Sequence, residues 1–147
     1  MVERSVRRDE LHGSPRDVFV LFSGHTDRAV IALCRFFAIY ALPFVIVCAS
    51  RSDAITRTAW SDRVVISRID RGLDVKLFDA VLQAVRGVYG SFARSVYCPT
   101  TEFINHFVLK ERAALLQLGW KVTLPAAEVY HALTGKASSP AIVKQLI

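Results

Sequence analysis

The sequence predicts an α/β domain: an open parallel sheet of about five strands with helices on both faces. Three observations predict it. Short runs rich in β-branched and aromatic residues recur along the chain (DVFVLFS, FVIVCA, RVVISRI, SVYC and WKVTL). Most of these runs are separated by stretches whose apolar residues repeat at helical spacing. The first two runs are apolar almost throughout, as strands covered on both faces must be. Strands alternating with helices in this way are joined by right-handed crossovers, which gives a Rossmann-like architecture.

The first strand is expected over Asp17 to Ser23, stopped by Gly24. Thr26 or Asp27 can cap the helix that follows, in which Val30, Leu33, Cys34, Phe37 and Ala41 fall at helical spacing. Ile31, Phe36 and Ile39 make its other sides apolar too, so it needs cover on most sides. Pro43 opens a second strand, Phe44 to Ala49, and a second helix is expected from Asp53 through Ile55 and Trp60. Arg63 to Ile69 reads as a third strand, nearer a sheet edge because polar residues interrupt it. Leu77, Phe78, Val81, Leu82 and Val85 define the clearest helix, with Gly87 and Gly90 as stops. Ser95 to Cys98 is a short fourth strand ending at Pro99. Thr100 or Thr101 caps one helix carrying Phe103, Phe107, Leu109, Leu115, Leu116 and Leu118, which Gly119 ends. Trp120 to Leu124 is a fifth strand running into Pro125. Ala126 to Leu133 is a short helix, Thr134 to Ser139 a connection, and Ile142 to Ile147 the start of a last apolar helix.

Composition bounds the rest. The chain has 147 residues, 52% of them apolar and 22% charged, with 7 Gly and 5 Pro, which is enough for one folded core and excludes low-complexity and collagen-like classes. The net charge of +6 invites a nucleic-acid reading. The arginines beyond the start are scattered singly, however, and no stripe of basic and aromatic residues is present to stack bases, so no nucleic-acid partner is expected. Three cysteines, Cys34, Cys48 and Cys98, make an odd count without a CxxC pair and read as buried free thiols in a reducing cytoplasm. The apolar stretch from Ala29 to Ala49 is long enough to cross a bilayer, yet Arg35 lies inside it and Pro43 divides it, so helix followed by strand is the expectation and no membrane role follows. Residues 1–16 have no apolar h-region and read as a flexible tail.

Ligands of open parallel sheets bind outside the carboxyl ends of the strands. The loops to inspect are therefore Ser23 to Asp27, Ser50 to Asp53 and Pro99 to Glu102. In SGHTDRA, Gly24 permits close backbone approach, the helix amides can take an anion, and His25 adds an imidazole. The loop lacks the GxGxxG of dinucleotide sites, there is no GxSxG elbow, and His12, His25, His106 and His131 stand isolated from one another, so no metal is expected. His25 with Asp27 or Asp53 could form a base and its orienter, without a nucleophile to serve.

Two segments are more informative. VYCPTTEFINHF places a proline turn, two hydroxyls and Glu102 between a strand end and a helix; about twenty-five residues on, LGWKVTLP leads through Glu128, Val129, Tyr130 and Leu133 to Gly135 and Lys136. Together they resemble the N-terminal, pre-ATP-grasp domain of ATP-grasp ligases of the carbamoyl-phosphate-synthase-like and carboxylate-amine-ligase type, over Asp17 to the chain end. The resemblance implies a Rossmann-like domain over residues 17–133 and the start of an ATP-grasp domain at 134–147. It implies Lys136 near ATP phosphates, although Gly135 stands where the family often has an acidic residue. ATP and magnesium would act in the complete enzyme, with no tight nucleotide binding to this chain alone, which would not be catalytically competent. Its partners would be the ATP-grasp domain and a small carboxylic or amino acid substrate, facing Ser23, Gly24, His25, Ser50, Arg51, Thr100, Thr101 and Glu102. Arg51 is the residue expected to hold a carboxylate in bidentate fashion. The rival expectation is a non-enzymatic interaction domain or homodimer, docking through Phe36, Phe37 and Tyr40.

Overall fold

The computed structural model describes residues 16–68 and 72–135. Arg16, expected to end the tail, is instead the first strand residue; the rest of the tail, the end of the third strand at Ile69, Lys136 and the last apolar helix lie outside the described residues.

The sheet contains β1 (Arg16–Phe22), β2 (Phe44–Cys48), β3 (Val64–Ser67), β4 (Ala93–Tyr97) and β5 (Lys121–Val122), in the order β3-β2-β1-β4-β5 and parallel throughout. The helices are α1 (Asp27–Ile39), α2 (Val75–Tyr89), α3 (Glu102–Lys110), α4 (Arg112–Leu118) and α5 (Ala127–Thr134). The chain steps outward from β1 to β2 and β3, then returns past β1 to β4 and continues to β5. The order therefore reverses between β1 and β4, the topological switch point at which this class of sheet binds its ligands.

Strand residues alternate between faces with a period of two and so divide the core. Leu21, Phe44, Ile46 and Cys48 pack with Val30, Cys34 and Phe37 of α1. Val18, Val20, Phe22, Val45 and Val47 face the other way, onto Leu77, Phe78, Val81 and Val85 of α2 and onto Ile104, Val108 and Leu115. Both central strands are thus covered on both sides, which is why their sequences are apolar without alternation. Trp120 closes the second face: its ring lies 5.0 Å from that of Phe78, and its indole N–H donates to the Phe78 carbonyl at 3.2 Å. Along the outer part of the first face, Arg94 and Lys121 both meet Asp17, at 2.8 and 3.2 Å, so charged side chains finish that strip of the sheet.

Four elements differ from expectation. The connection from β2 to β3 holds two short 3-10 turns, Ala54–Arg57 and Ser61–Arg63, in place of an α-helix. The hydroxyl of Thr56 takes the Asp53 carbonyl at 2.6 Å and that of Thr58 takes the Ile55 carbonyl at 2.8 Å. The same carbonyls accept from the Thr56 and Thr58 N–H groups at 3.0 and 3.2 Å, so local hydroxyl bonds reinforce the tighter i to i+3 pattern over that of an α-helix. The single helix expected after Pro99 is two, α3 and α4, parted at Glu111. Arg112, opening α4, donates to the Leu124 and Pro125 carbonyls at 2.5 and 2.8 Å and so fixes the turn after β5. β5 itself is only Lys121 and Val122, shorter than WKVTL suggested. Gly87 lies within α2, which runs on to Tyr89 before Gly90 ends it.

The long apolar stretch is divided at Pro43 as its sequence suggested, α1 ending at Ile39 and β2 beginning at Phe44. Among the described residues no helix is long and apolar enough to cross a membrane.

Candidate functional site

The carboxyl ends of β1, β2, β3 and β4 converge through four loops whose geometry starts from one glycine. Gly24 turns the chain out of β1 at φ +104°, a conformation that L side chains rarely adopt. A Cβ built on it would lie 2.3 Å from the Ala49 Cβ and 3.4 Å from an Asp53 carboxylate oxygen. The space a side chain would fill is thus occupied by the β2 loop. The glycine serves contact between two loops of the protein.

Asp53 binds those loops together. It is 7% exposed, and its carboxylate accepts from the Ser23 hydroxyl at 2.5 Å, from the Ala49 N–H at 2.9 Å and from the Ile55 N–H at 3.1 Å. Ser23, fully buried, is therefore committed to Asp53. Across the switch point, the Thr26 hydroxyl donates to the Thr100 carbonyl at 2.7 Å, and the Thr100 hydroxyl donates to the Phe22 carbonyl at 3.2 Å. The loops after β1 and β4 are laced by these two bonds, with the His25 ring 5.3 Å from that of Phe103.

The remaining expected residues separate. Ser50 pairs with Ser52 at 2.9 Å, and Arg51 is exposed in the same turn. Thr101 occupies the N-cap position of α3 without a side-chain cap bond, and Glu102 is the exposed first residue of that helix. His25 does not bond to Asp53. Its Nε2 meets the Nη2 of Arg68 at 2.8 Å, and the same Nη2 lies 3.5 Å from the Ser23 carbonyl.

Arg68 is the residue the sequence reading missed. RVVISRI reads as an unbroken strand, which places Arg68 inside the ladder. The strand ends at Ser67, so Arg68 stands at its carboxyl end beside His25. The available signal was the charge itself: an arginine late in an apolar run marks the point where the run leaves the core. Burial lowers the proton affinity of Arg68, and the nearby charge of Asp53 opposes that effect.

Two further groupings lie along α3. The Tyr97 hydroxyl donates to Asn105 Oδ1 at 2.7 Å, and Asn105 Nδ2 donates to the Tyr130 hydroxyl at 3.1 Å, a buried chain joining β4, α3 and α5. His106 and His131, expected to be isolated from each other, stack with ring centroids 5.1 Å apart, because α5 returns alongside α3. Among the described residues no three His, Cys, Asp or Glu gather so as to hold a metal ion.

All three cysteines are free thiols, two of them buried. Burial pushes the Cys34 thiol up to about 11 and the Cys98 thiol up to about 12. Thiolate is the reactive form, so native protein at neutral pH is expected to alkylate slowly with iodoacetamide at both positions, and the unfolded chain rapidly. Between about pH 9 and 12 the unfolded state loses these protons while the folded state keeps them. Stability therefore falls as pH rises through that window, and a urea midpoint that stays flat from pH 8.5 to 10.5 would contradict the assignment.

Comparison with known proteins finds no matching family model, curated protein or solved structure.

Proposed function

We propose that this chain is the substrate-side, N-terminal domain of an ATP-dependent carboxylate-amine ligase of the ATP-grasp type, acting in the cytoplasm and holding a small carboxylic or amino acid. The observation that carries the reading is the reversal of strand order between β1 and β4, with His25, Arg68, Thr26 and Thr100 at the carboxyl ends around it. The succession of β4, the Pro99 turn, α3, α4, a short β5, Pro125 and α5 supports the resemblance to the pre-ATP-grasp domain. In such a ligase ATP would supply the phosphoryl group that activates the acid for attack by an amine, with ADP and phosphate leaving. The described residues offer no acidic cluster for magnesium and no Gly-rich phosphate cradle. This chain's part is to bind and orient the acid, with ATP, magnesium and the contact assigned to Lys136 belonging to the adjoining domain.

Titration of the 15N-labelled protein with L-glutamate, acetate, ATP and NAD tests the reading. The expected result is that the acids shift amides of the loops after β1 and β4, while ATP binds weakly. Tight NAD binding would overturn it. Sequencing the gene past the codon for Ile147 gives a second test, the expectation being a continuing frame with spaced Lys, Glu and Asn.

One observation favours the non-enzymatic interaction or dimerisation reading. Phe36, Ile39 and Tyr40 at the end of α1 are 47%, 77% and 63% exposed, and the rings of Phe36 and Tyr40 lie 4.7 Å apart. Phe37, expected to share that surface, is instead buried against Phe19 and Phe44. Sedimentation at rising concentration distinguishes the readings, self-association lost in Ile39→Asp favouring the second.

A further inference from the structure

We propose that Arg68, oriented by His25, is the residue that receives the ligand's carboxylate. The inference rests on the reading above and moves the carboxylate contact from the Ser50 to Asp53 turn to the carboxyl end of β3.

Three features of the guanidinium point there. Arg68 is partly buried, yet among the described residues no carboxylate lies within ion-pair distance of it; both ion pairs found converge on Asp17. Asp53, the nearest source of compensating charge named above, has its carboxylate committed to Ser23, Ala49 and Ile55. The Nε–H of Arg68 is buried without a hydrogen-bond partner, a condition that native proteins seldom leave unrelieved. With no carboxylate of the described residues paired to it, the guanidinium charge is available to an oxyanion from outside them.

The partner on the other side fixes the chemistry. Arginine has only donors, so in the 2.8 Å contact the Arg68 Nη2–H donates and His25 Nε2 accepts. His25 is therefore neutral with its proton on Nδ1. The bond orients the guanidinium, and the ring presents a donor rather than a base. A planar fork matches a carboxylate in bidentate fashion. The β1 loop is no Gly-rich phosphate cradle, since its one glycine is turned onto Ala49, and the planar carboxylate is the better match to the fork.

The test follows the His25 ring nitrogens and the Arg68 side chain by 15N NMR at low salt, with acetate, L-glutamate, inorganic phosphate and neutral acetamide as probes. In the ligand-free protein, Nδ1 is expected to carry the proton and Nε2 to resonate as an acceptor. Acetate and L-glutamate should shift both side chains and acetamide should not. Arg68→Gln should weaken acid binding about tenfold or more, with partial recovery in Arg68→Lys. The wild-type ring signals decide the matter even if a variant fails to fold. Acids that bind elsewhere, with Arg68→Gln unchanged in affinity, overturn the Arg68 assignment and leave the domain reading standing. Absence of acid binding anywhere overturns both. Phosphate binding at Arg68 in preference to acetate overturns the carboxylate class.

Discussion

Asp53→Ala is expected to cost about 3–5 kcal/mol of folding stability, because the change leaves three donors at the centre of the loop cluster without their acceptor. The Ser23 hydroxyl, the Ala49 N–H and the Ile55 N–H all end on this one buried carboxylate. The hydroxyl can rotate toward another acceptor, but the two backbone groups are fixed by the turn they belong to. For a domain of this size the loss corresponds to a fall of about 10–20 °C in Tm. Asp53→Asn separates geometry from charge. Its carboxamide keeps one acceptor oxygen and turns a donor toward at least one of the N–H groups, so an intermediate loss is expected. Thermal unfolding of the two variants checks the ranking, and a loss below about 3 °C in Asp53→Ala would show that the carboxylate does not hold the loops.

Gly24→Ala is the second large effect, and its cause is different. Two costs combine: an L residue at φ +104° is strained by about 1–3 kcal/mol, and the new methyl group lies 2.3 Å from the Ala49 Cβ, forcing one loop to move at about 1–3 kcal/mol more. The steric part depends on Ala49 and the backbone part does not. In the pair Gly24→Ala with Ala49→Gly, the steric part is therefore expected to be recovered and the strain to remain. Urea unfolding of both singles and the double completes the cycle. Strict additivity would mean that the two residues do not meet.

The parts of the architecture legible in the sequence are those that depend on local pattern. The apolar runs of β1 and β2, the helical spacing from Leu77 to Val85 and the interruption at Pro43 each reflect burial of neighbouring residues on known faces, so they can be read without the fold. The free state of the cysteines and the edge position of the third strand follow from composition and polarity in the same way. Where backbone hydrogen bonds were in competition, pattern misled. The threonines after Asp53 reinforce i to i+3 bonds where a helix was expected, and the break at Glu111 leaves the apolar spacing on either side nearly unchanged.

The strand-end rule pointed to the loops after β1, β2 and β4, and only tertiary structure decided what each residue there is bonded to. Ser23 and Thr100 look like free hydroxyls in sequence and prove to be bonded to groups 30 and 78 positions away. His25 finds its partner 43 positions away in Arg68, which the sequence left inside a strand. By itself, then, the sequence determined the class of fold and its central strands, because burial is written in local periodicity. The order β3-β2-β1-β4-β5, the inward turn of Gly24 and the pairing of His25 with Arg68 were decided by the packed structure, because they depend on which distant loops meet when the chain crosses the sheet.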